Sequence, residues 1–270
     1  MRTLETRVGT VAYEEHGTGF PLLLLHANGG AHFHFDDIVP ELAQSYRTIV
    51  LDWPGCGESA ALHLSQEASA MLMADVLEDV VAGLSLESAI LLGHSVGGYA
   101  AARLVIRQPE RVRALILVDS GGFAPASRFF CWLLGQEWVA RHVAVSFAKF
   151  YLKRRTPLVE RILARIAQDW TIPSWVATNA AIWRSFAHPE HDLRSLVSQI
   201  TAPTLLIYGR FDPIIRFERD QATESIPHAQ RVILETGHEP FAEDPKAFLQ
   251  AITPFLHTLP IDRSSHVSST

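Results

Sequence analysis

Short, unbroken apolar runs alternate along this chain with stretches of helical periodicity. The runs lie at 22–25, 48–51, 89–92, 114–118, 204–208 and 231–234. They lack the apolar–polar alternation of a half-exposed strand, as expected of strands covered on both faces. Helical patterns occupy 36–43, 66–84, 97–108, 217–225 and 244–257. This order predicts an α/β fold with a doubly wound, mostly parallel sheet. The opening stretch Arg7-Val8-Gly9-Thr10-Val11-Ala12-Tyr13-Glu14-Glu15 reads as an antiparallel hairpin on one edge.

One interval breaks the rhythm. From 123 to 200 there is no convincing strand, only helical stretches rich in aromatic residues. Five of the six tryptophans fall here, with Phe129, Phe130, Phe147, Phe150, Tyr151 and Phe186. The interval is expected to be a helical cap inserted after the strand that ends at Val118. The core would then comprise 1–122 and 201–260, with a polar tail at 261–270.

A chain of 270 residues with 48% hydrophobic content has ample material for such a core. Its net charge of −6 and its lack of a basic tract argue against nucleic acid as a partner. The cap differs, with ten Lys/Arg against five Asp/Glu, a net +5 that leaves −11 for the rest. Lys153-Arg154-Arg155 is its densest cluster, either a solvated helix end or a basic rim near a site. Cys56 and Cys131 lie far apart and match no metal or redox spacing, which fits a reducing compartment. The N-terminus has no apolar signal core, and no run approaches the ~20 residues of a membrane span. These features predict a soluble, cytoplasmic protein.

The strongest chemical signal is Gly93-His94-Ser95-Val96-Gly97, between an apolar strand and a small-residue helix. A serine at such a turn projects from the carboxyl end of the sheet, with the free N–H groups of the next helix aimed at the same point. That arrangement suits nucleophilic attack and stabilisation of an oxyanion. The alternative is an ordinary strand-to-helix turn.

A serine needs a base, and histidine is the usual one. Of 13 histidines, His238 follows directly on the last strand and projects from the same sheet edge. His26 is expected to brace the loop after the first parallel strand. His94 is expected to point away from Ser95. His32 and His34 resemble a metal pair but lack a third ligand, so no metal is expected. The acid that orients the histidine is expected to be Asp212, one helix and one strand before His238. Asp119, at the end of the 114–118 strand, is the rival.

Four motifs now stand in order: Asp52-Trp53-Pro54-Gly55-Cys56-Gly57-Glu58-Ser59, Gly93-His94-Ser95-Val96-Gly97-Gly98, Gly209-Arg210-Phe211-Asp212 and Gly237-His238-Glu239-Pro240-Phe241-Ala242-Glu243-Asp244-Pro245. Together they resemble the cap-bearing serine hydrolases of the α/β-hydrolase fold superfamily, esterase- or lipase-like, over nearly the whole chain. The order Ser95, Asp212, His238 is the order that fold uses. The resemblance implies an oxyanion hole made by the backbone N–H groups of Asn28 and Val96. The family's usual H-G-x reads His26-Ala27-Asn28 here, so Ala27 replaces a glycine. The side chain of Asn28 is a candidate for a polar group on the substrate. No cofactor is implied.

Serine at the elbow sets the chain apart from relatives with a nucleophilic aspartate. The expected activity is hydrolysis of a carboxylic ester of a small to medium apolar molecule, through an acyl-enzyme. Carbon–carbon bond hydrolysis of meta-cleavage-type diketones and a slow-turnover ligand receptor are the alternatives.

Overall fold

Leu22 to Leu25 show why the apolar runs carry no alternation. Leu22 and Leu24 face one core, Leu23 and Leu25 the other, and all four are fully buried. The computed structural model describes residues 1–62, 67–125, 127–220 and 222–260. The expected tail at 261–270 lies outside them.

The sheet contains β1 (Arg2–Thr6), β2 (Gly9–His16), β3 (Phe20–Leu25), β4 (Tyr46–Leu51), β5 (Ala89–His94), β6 (Val112–Val118), β7 (Thr204–Gly209) and β8 (Gln230–Leu234). Its spatial order is β1-β2-β4-β3-β5-β6-β7-β8. Strands β3 to β8 run parallel to one another. β1 and β2 form the expected edge hairpin, and β2 continues antiparallel onto β4.

Helices α1 (Val39–Leu42), α2 (Ala70–Gly83) and α3 (Val96–Arg107) lie in the first half. Between β6 and β7 come α4 (Arg128–Leu134), α5 (Glu137–Tyr151), α6 (Pro157–Asp169) and α7 (Pro173–Ser185), and α8 (Pro240–Glu243) and α9 (Pro245–Thr258) close the chain. One face of the sheet packs on α2 and α3 through Met73, Leu77, Val80, Tyr99 and Leu104. The other packs on α9 through Phe248, Ile252 and Phe255. The inserted helices join both cores. Ala144, Ala148, Ile162 and Ile166 extend the second, and Ala181 and Ile182 the first. The insertion is therefore anchored by buried apolar contact at both ends.

Three helical expectations are revised at their edges. The 66–84 pattern begins at Ala70, where Ser69 turns extended and its Oγ accepts from Leu72 N at 3.0 Å; residue 66 itself lies outside the described residues. The 36–43 pattern yields only α1, because Pro40 sits in its first turn and cannot continue a helix arriving from upstream. The 217–225 pattern breaks into two single 3₁₀ turns, Phe217–Arg219 and Ala222–Ser225. Between them Asp220 is buried and accepts from Tyr208 Oη at 2.6 Å, and Thr223 Oγ1 donates to the Asp220 carbonyl at 2.9 Å. These polar bonds to a buried tyrosine outweigh the propensity of a nine-residue stretch. Among the described residues no helix is long and apolar enough to cross a membrane.

Candidate active site

Ser95 stands between β5 and α3 at φ 54° and ψ −112°. A residue with a Cβ in such a region carries roughly 1–3 kcal/mol of strain, sustained by its surroundings. Here the surroundings are backbone bonds at 3.0 Å: Ser95 N donates to Val118 O, and Ser95 O accepts from Gly121 N and Tyr99 N. The flanking glycines permit the turn by close approach. A Cβ on Gly93 would lie 2.5 Å from Gly97 O, and one on Gly97 would lie 2.3 Å from Leu25 O. Any side chain at either place would lever α3 away from the sheet.

His238 starts two strands away, because β6 and β7 separate β5 from β8. His94, the residue before the serine, spans that gap. Its Nε2–H donates to the carbonyl of His238 at 2.7 Å, and the two rings lie 4.6 Å apart. From the insertion, Tyr151 O accepts from His238 N at 3.1 Å, and the Tyr151 ring stands edge-on to the imidazole at 5.5 Å. Asp212 Oδ2 accepts from His238 Nδ1 at 2.7 Å, while its Oδ1 accepts from Ile214 N at 2.7 Å. With Nδ1 bearing the proton, Nε2 is the basic nitrogen of the ring. Ser95 and His238 line the same cavity.

A second carboxylate holds this loop. Glu243, almost fully buried, accepts four backbone N–H groups: Gly237 at 2.9 Å, Glu239 at 3.2 Å, Lys153 at 2.8 Å and Arg154 at 2.9 Å. Two come from the histidine loop and two from the exit of α5. Neither Glu243 nor Tyr151 stood out in sequence. The acid five residues after His238 was part of a motif, but its targets become visible only in the fold.

The other histidines fall away on physical grounds. His26 braces its loop as expected: Nδ1 bonds Ala27 O at 2.6 Å and Nε2 accepts from Trp53 N at 3.0 Å. Burial pulls its pKa down to about 4 despite Asp52. Burial, with His238 beside it, also holds His94 well below 6.5. His32 and His34 do not form a pair; His32 bonds Asp52 at 2.8 Å and His34 bonds Glu239 at 3.0 Å. Burial works against the charged form of His238 too, but the charge and hydrogen bond of Asp212 overcome it and raise its pKa above 6.5. A base must be neutral to accept a proton, so turnover should fall as pH drops through this raised value. A rate–pH profile with its acid limb above 6.5 is the expected result. A limb near 4 would point to His26 instead.

Two cavities reach Ser95 and Asn28. One, of about 60 Å³, is walled by Phe147, Tyr151, Trp170, Trp175 and Trp183 of the insertion together with His238. The other, of about 270 Å³, runs past Phe130, Phe186, Ile214 and Ile215. Much of their lining is aromatic or aliphatic, the character of a site that binds through buried area. Val96 is the first residue of α3, so its N–H has no acceptor within the helix. The side chain of Asn28 is committed elsewhere: Nδ2 donates to Asn179 O on α7 at 3.0 Å, and Oδ1 is buried without a partner. Nδ2 thus ties the loop to the insertion, while Oδ1 has no hydrogen-bond partner among the described residues. Asp119 follows β6 fully buried, and Asp212, not Asp119, accepts from His238 Nδ1.

Residues 22–251 match the model of a family described as the alpha/beta hydrolase family. The chain is 31% identical over 267 residues to a pimeloyl-[acyl-carrier protein] methyl ester esterase of Aeromonas hydrophila, covering 92% of this chain and 99% of that one. Among solved structures, a thermophilic esterase from Thermogutta terrifontis superposes with a TM-score of 0.79 at 26% identity, covering 96% of this chain and 98% of that one. A meta-cleavage product hydrolase from Pseudomonas fluorescens superposes with a TM-score of 0.80 at 18% identity over 95% and 97% of the two chains, a likeness of fold alone.

Proposed function

Because this chain belongs to the alpha/beta hydrolase family, we propose that it hydrolyses carboxylic esters of small to medium apolar acids with Ser95 as nucleophile, His238 as base and Asp212 as orienting acid. The observation that carries this reading is the cavity shared by Ser95 and His238, with the Asp212 carboxylate 2.7 Å from the far nitrogen of the imidazole. His238 takes the Ser95 proton as Oγ attacks the ester carbonyl. The backbone N–H groups of Asn28 and Val96 hold the oxyanion, a contribution worth about 100- to 1,000-fold per donor. The alcohol leaves with the proton from His238, and water activated by the same ring releases the acid. Residues 123–200 serve as the cap over a core of 1–122 and 201–260.

The methyl ester named for the Aeromonas relative supports a small alcohol as leaving group. That relative's substrate is borne on a carrier protein. Here six Lys/Arg stand against one Asp/Glu between residues 127 and 155, so the corresponding reading for this chain is an acyl chain presented by an acidic carrier.

Hydrolysis of p-nitrophenyl esters from acetate to palmitate tests the proposal. Short to medium chains should be turned over best, with palmitate slower by about tenfold or more once the pocket is filled. A folded protein that hydrolyses none of them would transfer the argument to carbon–carbon hydrolysis or to ligand reception.

A further inference from the structure

Asp119 follows β6 at the carboxyl edge of the sheet, between the strand that leads to Ser95 and the strand that leads to Asp212. It is fully buried, in left-handed backbone at φ 40°. Its N–H donates to Ile207 O at 2.9 Å, which fixes that backbone. Its carboxyl lies beside the carboxyl of Asp212. One polar side-chain atom from each of Asp119, Asp212 and His238 lies within 4.8 Å of the other two.

Two ionised carboxylates are both acceptors and cannot hydrogen-bond each other. Buried side by side they also repel strongly, which favours one of them holding a proton. The donors around the pair decide where it resides. Asp212 accepts from two N–H groups, those of His238 and Ile214. Among the described residues Asp119 has only the N–H of Gly209, shared at 3.1 Å between its two oxygens. The better-solvated carboxylate keeps the charge, and the poorer one keeps the proton.

We propose that Asp119 is a neutral carboxylic acid whose O–H donates to Asp212, making it a positioning residue for the Ser95, His238 and Asp212 set. This rests on the assignment of Asp212 as the acid that orients His238. The O–H gives Asp212 a further donor, which limits rotation of the carboxylate away from the imidazole. Being neutral, it does so without a second negative charge beside His238. Burial first, and then the charge of Asp212, hold the Asp119 carboxyl well above the usual carboxylate range. The other ionisable groups facing the cluster are Glu239 and Glu243 of the histidine loop, Tyr151 of α5, and His94 against the His238 ring. All four are unchanged in the variants below.

The test is NMR titration of the His238 imidazole in wild type, Asp119→Asn and Asp119→Ala, alongside kcat against pH for a p-nitrophenyl ester. Asp119→Asn exchanges one neutral donor for another, so the His238 pKa should stay within about half a pH unit of wild type. An ionised Asp119 would make the same change a removal of negative charge, and the His238 pKa would fall by about one pH unit or more; that result overturns the proposal. Asp119→Ala removes the donor and leaves Asp212 more basic. The His238 pKa should then rise by about one pH unit and kcat fall by about tenfold, with the asparagine variant recovering most of both. An alanine variant indistinguishable from wild type in pKa and rate would also overturn it. If the alanine protein does not fold, the asparagine titration alone decides. The titration needs no turnover, so a protein inactive on every ester can still return the expected shifts, in which case the esterase reading fails and this one stands.

Discussion

Ser95→Ala is expected to reduce ester turnover by on the order of 10⁶-fold while the protein remains folded. The size follows from the division of labour in a relay of this kind. Without the hydroxyl no acyl-enzyme forms, and His238, held in place by Asp212, has no serine proton to take. What remains is substrate binding and the two backbone donors, which act on an attack by water. The fold should survive because the turn is held by backbone bonds from Val118, Gly121 and Tyr99, not by the hydroxyl. Steady-state kinetics with matched circular dichroism and thermal melts would check both halves. Turnover near the wild-type rate in a folded Ser95→Ala protein would remove Ser95 as nucleophile.

Asp212→Asn is the second large effect, on the order of 10⁴-fold in kcat. The carboxylate accepts from His238 Nδ1 at 2.7 Å. An amide at that place can offer an N–H instead, which favours the opposite tautomer and puts the proton on the nitrogen that should be basic. The charge that raises the pKa of His238 goes with it, so the acid limb of the rate–pH profile should also move to lower pH. The change is nearly isosteric, and Ile214 N can still find the amide oxygen, so melting temperature should change little. Asp119→Asn should cost far less. The opposite ranking, with the larger loss at Asp119, would make that residue the orienting acid.

Much of this arrangement is legible in sequence, for identifiable reasons. The strands were readable because a run such as Ala89 to Leu92, buried on both faces, must be continuously apolar. Ser95 was readable because its turn demands glycine at fixed offsets. The approach of Asp212 to His238 follows from one crossover and one strand filling 26 residues between neighbouring strand ends, although that crossover is two 3₁₀ turns and not the expected helix. The missing parts depend on distant segments meeting. His94 was expected only to point away from Ser95; that it carries His238 across two strands needs the strand order and the return path of the loop. Asp119 and Asp212 were weighed as competitors, and only their common burial brings their carboxyls together. The 217–225 helix failed because Asp220 meets Tyr208 from another element, a contact no local propensity reports.

The four-way grip of Glu243 has a consequence for traffic into the site. It binds the exit of α5 and the loop bearing His238 to one carboxylate, and Tyr151 adds a fifth bond across the same seam. Opening the enclosure there would strand a buried charge and pull the base out of register with the serine. The second cavity is lined by none of the residues that make these five bonds. It is the larger void, bounded by Ser127, Phe130 and Cys131 around α4 and by Pro213, Ile214 and Ile215 after Asp212. A molecule admitted past α4 would leave the seam between α5 and the loop bearing His238 unbroken.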